Sequence, residues 1–156
     1  MRRVIYMALL VIALVVGNSM LTSANASDNG EDDVIRLLAK SVVAETLDLG
    51  AAGESIGDQE VFSDDLYETG DLVGSLDGTC TTTRLEATAL TLHCTVSLTL
   101  PDGQITLQGA IRFDPDFTDS FYIAITGGTG EYDEARGQVK VQFINETDTK
   151  LKVMLD

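Results

Sequence analysis

Two cysteines and a single histidine are the residues of this chain best suited to metal binding or covalent chemistry. Cys80, Cys94 and His93 would supply three ligands at most, and His93 points to the opposite face of a strand from Cys94, so the sequence predicts no metal site. A nucleophilic thiol would need a nearby base, and none is evident. If the chain turns back at Ala87, Cys80 lies directly opposite Cys94, and a cross-strand disulfide is predicted.

A glycine-rich run is the second feature that could do chemistry. Residues 125–142 read ITGGTGEYDEARGQVKVQ. The run lacks the lysine of a phosphate-binding loop, and a β-like segment follows Gly130 in place of a helix whose N-terminus could bind an anion. We therefore interpret it as a tight glycine turn between two strands.

Acidic residues dominate the charge of the chain. There are 25 Asp and Glu against 10 Lys and Arg, for a net charge of −15 at pH 7. This balance argues against nucleic acids and anionic membrane surfaces as partners. Acidic clusters at 114–119 and 131–134 are interpreted as solvated rims, because they lack the spacing of a calcium-binding EF-hand loop.

Alternation of apolar and polar residues predicts the elements that must position these groups. Leu90 to Leu100 alternates strictly, Pro101-Asp102-Gly103 has the chemistry of a turn, and Gln104 to Phe113 continues the alternation, so a hairpin is predicted. Six further strands are expected at 42–48, 59–65, 79–85, 121–126, 137–144 and 151–155. Eight antiparallel strands favour an all-β closed barrel, which holds one small ligand or is filled with side chains.

The first 26 residues contain no acid and have the pattern of a secretory signal. Arg2 and Arg3 precede an apolar run from Val4 to Val16, and Ala24-Asn25-Ala26 resembles a cleavage site. An uncleaved anchor is the alternative, but the run is short against the ~20 residues that span a bilayer. The predicted organisation is a signal peptide (1–26), an acidic leader (27–40) and one barrel domain (41–156), secreted without stable membrane insertion. Such a compartment preserves a disulfide.

Several motifs, in one order, resemble the allene oxide cyclase and dirigent superfamily. They are GDQEVFSDDLY at 57–67, Val73-Gly74 with Gly78-Thr79-Cys80, LPDGQITLQG at 100–109 and DSFYIAITGGTG at 119–130. The resemblance implies an eight-stranded antiparallel barrel, which strand counting also favours. It also implies that homo-oligomers, as dimers or trimers, are possible.

The family implies a mode of action without a cofactor. Its mostly apolar interior binds a reactive hydrophobic molecule in one conformation, so that ring closure or coupling gives one product. Members include plant allene oxide cyclases, plant dirigent proteins and small bacterial barrels that catalyse four-plus-two cyclisations. Restricting reactants to a near-attack geometry is the shared physical basis.

Some pocket residues of allene oxide cyclases have counterparts here. Phe62 matches the family's pocket Phe, Asp64 stands in place of a pocket Asn, and Cys80 matches the pocket Cys. The pocket Tyr falls at Ile111, and the pocket Glu falls near Val42, so both polar groups used on the epoxide are missing. The resemblance therefore predicts the fold of an allene oxide cyclase without its activity.

Alternation extends this set to a predicted barrel interior. The additional inward residues are Thr82, Arg84, Leu92, Val96, Leu107, Gly109 and Phe113. Asp64 and Arg84 are its only charged members, and one hypothesis makes Asp64 a general acid or base whose pKa is tuned by burial and by Arg84. The alternative is a structural ion pair, or an Arg84 that reaches water.

The sequence thus predicts an exported, cofactor-independent barrel that binds a hydrophobic small molecule and steers its cyclisation, as a cyclase or isomerase. A non-catalytic, dirigent-like or lipocalin-like binding protein remains an alternative, and so does a structural protein whose barrel is packed solid. An open apolar cavity would remove only the last of these.

Overall fold

The computed structural model describes residues 33–156, which form a closed barrel of eight antiparallel strands in chain order. The strands are β1 (Asp33–Leu47), β2 (Gln59–Glu68), β3 (Asp71–Glu86), β4 (Ala89–Leu100), β5 (Gly103–Phe113), β6 (Ser120–Gly130), β7 (Gly137–Phe143) and β8 (Asp148–Leu155). Closure comes from pairing of β1 with β8. The predicted barrel is confirmed. Within these residues no helix is long and apolar enough to cross a bilayer.

The first strand begins earlier than the sequence pattern indicated. Residues 33–40 pair with β8 and belong to the barrel, so the predicted boundary between leader and domain at Ser41 is wrong. The reason is packing, since Leu37 and Ala39 are buried while Arg36 and Lys40 alternate outward and are exposed. The predicted signal peptide lies outside the described residues.

The predicted hairpin of β4 and β5 is confirmed. Leu92 lies opposite Ile111 and Val96 opposite Leu107, with the turn at Pro101 and Asp102. The interpretation of the glycine run as a tight turn is wrong, because Gly127, Gly128 and Gly130 lie within β6 and pair with β5, and the turn to β7 follows them.

One end of the barrel is densely packed. Its fully buried side chains are Leu66, Leu98, Ile105, Val139 and Val153. Leu66 and Leu98 lie near the ends of β2 and β4, and Ile105 lies near the start of β5. They therefore share the end of the barrel that the short β2–β3 and β4–β5 turns close. Burying each such side chain contributes about 1.5–3 kcal/mol, so this end supplies the rigid base of the fold.

Four register shifts interrupt the regular pairing, and two of them lie beside the cavity. The β1–β2 register shifts between Ser41 and Val43, and the β3–β4 register shifts between Thr82 and Arg84. A bulge inserts one extra residue into a strand, so every later side chain changes face. Both bulges lie toward the other end of the barrel, where the strands surround a cavity.

Candidate functional site

A cavity of about 230 Å³ occupies the end of the barrel opposite the packed base. The structure brings eight of the predicted interior residues to its wall, namely Phe62, Asp64, Cys80, Leu92, Val96, Leu107, Ile111 and Phe113. The barrel is therefore not packed solid along its length. Thr82 is buried but lies outside the lining, and its backbone N–H and C=O bond to Asp58 and Gly57 of the β1–β2 loop.

Arg84 does not face the cavity. Its guanidinium contacts Glu86 at 2.7 Å, and its side chain is 67% exposed. The bulge after Thr82 brings Arg84 opposite Thr91, on the outer face. The predicted pairing of Arg84 with Asp64 is therefore wrong, because the extra residue reverses the alternation on which it depended.

The bulge in β1 has the same effect on the position expected to hold the family's glutamate. Val42 is 62% exposed, whereas Ser41 and Ala44 line the cavity. No carboxylate of β1 therefore reaches the lining, and Ile111 supplies no phenol from β5. With the faces of β1 assigned correctly, the lining still lacks both polar groups that allene oxide cyclases use, the Glu and the Tyr.

The two cysteines form the predicted disulfide. Cys80 and Cys94 are directly opposite in the β3–β4 register, with their Cα atoms 4.0 Å apart, and both are buried in the cavity wall. Since these are the only cysteines of the sequence, the wall offers no free thiol. Cys80 is a covalent staple between strands and cannot act as a nucleophile.

Asp64 is the half-buried acid of the cavity wall. It lies opposite Ser41 of β1 and Leu76 of β3, and both neighbours also line the cavity. Desolvation raises the pKa of the Asp64 carboxyl, and the negative charge of Asp77 raises it further. Among residues 33–156 no cation forms an ion pair with Asp64. It can therefore accept or donate a proton, or hold a hydrogen-bond donor of a ligand.

Four residues at the mouth of the cavity were not predicted from the sequence, although alternation could have identified the first of them. Glu60 precedes Phe62 by two residues on β2, so it shares the inward face and lines the mouth of the cavity. Asn145, Glu146 and Thr147 complete the mouth from the β7–β8 loop. Loop residues do not follow a strand period, so no sequence pattern placed them here.

Four phenylalanines pack together beside the cavity. Ring centroids are 4.6 Å apart for Phe113 and Phe117 and 5.9 Å apart for Phe121 and Phe143. Three of them, Phe113, Phe121 and Phe143, also line the cavity. Tilted aromatic pairs of this kind are favourable beyond their buried area, so one side of the mouth is a stable aromatic wall.

A carboxylate orders the loop on another side of the mouth. Asp58 accepts hydrogen bonds from the backbone N–H groups of Leu49, at 2.9 Å, and of Ser55, at 2.7 Å. These two bonds hold the pKa of Asp58 below its ordinary value. Residues 48–58 are thereby fixed beside Glu60 and the first residues of β2.

Comparison with known proteins identifies relatives of this architecture. A family model described as "Allene oxide cyclase barrel like domain" matches residues 39–155. A solved pyocyanin demethylase is 30% identical, with a TM-score of 0.70 over 79% of this chain and 99% of that chain. No curated protein matches the sequence.

Two further solved structures share the fold at lower identity. The Diels Alderase AbmU from Streptomyces koyangensis is 18% identical, with a TM-score of 0.65 over 80% of this chain and 64% of its own. A pterocarpan synthase dirigent protein is 17% identical, with a TM-score of 0.60 over 78% of this chain and 87% of its own. At these identities the likeness concerns the barrel alone.

Proposed function

The chain belongs to the allene oxide cyclase barrel-like family, and from this premise we propose that it binds a compact hydrophobic molecule in the barrel cavity and steers its cyclisation or isomerisation. The observation that carries the proposal is an apolar cavity with one half-buried carboxylate, Asp64, in its wall. Apolar walls with a few placed polar groups are typical of small-molecule sites.

The size of the cavity limits the ligand. An apolar cavity of about 150 Å³ takes one benzene ring, and this one measures about 230 Å³. The enclosed part of the ligand is therefore about one to two rings, with any larger portion extending past the mouth. Family relatives that act on small molecules, including the pyocyanin demethylase and the Diels Alderase, support this class of ligand.

The chemistry we propose needs no cofactor. The aromatic wall and the rigid base hold the ligand in one conformation, and positioning of this kind removes much of the entropic barrier of a ring closure. Asp64 transfers a proton as the general acid or base, since partial burial moves its pKa toward the working range. The disulfide supports an oxidising, extracytoplasmic setting.

Ring closure of an allene oxide is not the reaction we propose. The lining carries Ile111 where that reaction uses a Tyr, and Ser41 and Ala44 where it uses a Glu. An allene oxide incubated with the protein should therefore close at the rate of the control without protein.

A non-catalytic binding role is the second candidate, and one observation favours it. Asp64 has no partner base or cation in the described structure, and the thiols are consumed in the disulfide. A barrel of this kind orients a ligand for another enzyme without transferring a proton itself. The disulfide, the aromatic wall and the cavity serve both roles equally.

Turnover in matched variants separates the two roles. The purified protein is incubated with a panel of compact hydrophobic molecules that can cyclise or isomerise, bound species are detected by native mass spectrometry, and products are quantified. For the enzyme, Asp64→Asn should lower turnover by about a hundredfold or more while ligand still binds. Asp65→Asn, the adjacent acid on the other face of β2, should change neither.

The outcomes exclude different roles. Turnover that survives unchanged in Asp64→Asn would remove the proposed proton transfer. If the ligand binds and is recovered unconverted, the enzymatic role is wrong and only the binding role remains. If no compact ring compound occupies the cavity, both roles are wrong.

A further inference from the structure

The charges that line the cavity are all of one sign. Its wall and mouth include Glu60, Asp64 and Glu146, and no Lys, Arg or His is among the lining residues. The cations of β1, β7 and β8 line a separate groove: Arg36, Lys40, Lys140, Lys150 and Lys152. Arg84 and Arg112 both contact Glu86 at 2.7 Å on the outer face, and their side chains are 67% and 45% exposed.

Two of these acids flank an aromatic ring on one strand. Glu60, Phe62 and Asp64 alternate on the inward face of β2, so the carboxylates lie about 13 Å apart along the strand at ~3.3 Å per residue. Glu60 is at the mouth and Asp64 is further in, with Phe62 between them. The faces of aromatic rings carry negative quadrupole charge, so Phe62 adds to the attraction of a cation.

Low-dielectric walls strengthen this field inside the cavity. Leu76, Leu92, Leu107 and Ile111 line the same cavity as the acids, and Leu76 lies directly opposite Asp64. Clefts lined by charge of one sign concentrate ligands of the opposite sign. An anionic ligand would meet three carboxylates here without a compensating cation, and a neutral ligand would leave the half-buried Asp64 charge unmatched.

We propose that the ligand of this cavity is a cation, specifically a compact ring system that carries one positive charge, as an N-alkylated heteroaromatic ring or a protonated ring amine. This inference rests on the proposed function, since it assumes that the cavity takes a small molecule. Its apolar ring packs against Leu107, Ile111 and the phenylalanines, while its charge lies between Phe62 and Asp64. Specificity then comes from charge as well as from shape.

Three probes of nearly equal shape test this inference. N-methylquinolinium is a cation, 1-methylnaphthalene is its neutral counterpart, and 1-naphthoate is an anion. Their affinities are measured by isothermal titration at low salt, and occupancy of the cavity is read from the methyl NMR signals of Leu107 and Ile111. The cation should bind about tenfold or more tightly than the neutral probe, and the anion should not bind.

Variants distinguish the cavity from the general acidity of the surface. Asp64→Asn and Glu60→Gln should each reduce the preference for the cation over the neutral probe, with the larger effect for Asp64, which is more buried. Asp65→Asn, on the outer face, removes the same charge and should leave the preference unchanged. Affinity of the neutral probe in each variant reports whether the cavity is still formed.

The possible results separate this inference from the function on which it rests. Neutral binding as tight as cationic binding, with methyl shifts in the cavity, would overturn the charge preference and leave the proposed function standing. Cation binding without methyl shifts, or equally weakened by Asp65→Asn, would also overturn it, since it would report surface charge. Failure of all three probes to shift the methyl signals would overturn both.

Discussion

The ring of Phe62 lies directly over Gly78, its partner across the β2–β3 pair. A Cβ atom at position 78 would come within 2.5 Å of the ring's Cζ and 2.8 Å of its Cε2. Any side chain at this position would occupy the space of the ring. Gly78 is thus the reason that Phe62 can lie flat against the wall and leave the cavity open.

Gly78→Ala should push the Phe62 ring into the cavity. We expect a loss of about 1 kcal/mol in the free energy of unfolding from overpacking, together with weaker binding of compact ligands. Urea unfolding and ligand titration measure the two effects. Phe62→Leu in the same chain should restore much of the stability, because the smaller side chain no longer meets the new methyl group. Additive losses in the double variant would contradict this relationship.

The ionised form of Asp64 should destabilise the fold. Burial raises its pKa above the unfolded value near 3.8, and Asp77 adds to the shift. Between the unfolded and folded pKa values the folded state binds more protons, so stability falls as pH rises through this window. Asp64→Asn removes that fall. Its stability relative to the parent should increase as pH rises from below 3.8 to neutral, by less than about 1 kcal/mol because the group is half exposed. Urea midpoints across this pH range test it, and a pH-independent difference would contradict it.

The disulfide should contribute substantially to stability. Cys80 and Cys94 close a loop with a sequence separation of 14, and a loop of about this length is stabilised by about 3 kcal/mol when it is cross-linked. Replacing both residues with Ala should lower the free energy of unfolding by about this amount. Reductant should destabilise the parent protein and have no effect on the double variant. A urea midpoint that does not respond to reductant would show that the crosslink contributes little.

A row of like charges crosses the outside of the barrel. Lys152 lies directly opposite Arg36 of β1 and Lys140 of β7. Like charges directly opposite each other destabilise a sheet, so Lys152→Thr should stabilise the fold by about 0.2–1 kcal/mol at low salt, and by less at high salt. Thermal unfolding at two ionic strengths measures the gain. Lys150→Thr is the matched control, because its cross-strand neighbours are Leu38 and Gln142. An equal gain at Lys150 would show that repulsion between Lys152 and its cross-strand neighbours is not the cause.

Much of the fold could be read from the sequence where one face is uniformly buried. The β4–β5 hairpin and its inward faces were predicted because Leu, Val and Ile recur at every second position, and the Cys80–Cys94 pairing followed from a chain reversal centred on Ala87. The start of β3 was missed because Asp71 to Gly78 is rich in Asp and Gly, which are uncommon in strands. This part of β3 forms a strand because β3 pairs with β2 on one side and with β4 on the other.

The candidate site was only partly predictable for a geometric reason. A bulge adds one residue without any characteristic composition, yet it reverses the face of everything beyond it. Arg84 and Val42 were assigned to the wrong face for this reason, whereas Phe62 and Asp64, on an unbroken part of β2, were placed correctly on the cavity wall. The two errors lie near the mouth, where the bulges of β1 and β3 fall.

The glycine run in β6 should matter for packing, and Gly128 is its most constrained position. A Cβ atom there would collide with two backbone carbonyl oxygens, that of Tyr132 in the β6–β7 turn and that of Gln104, which lies opposite Thr129 in the β5–β6 pair. Gly128→Ala should therefore lower the free energy of unfolding by about 2 kcal/mol or more. Gly109→Ala is the control, since its Cβ would meet only the flexible side chain of Ile123, at 3.1 Å from Cγ1, and the loss should be smaller. Urea unfolding of both variants gives the comparison, and equal losses would show that close backbone approach is not what requires glycine at position 128.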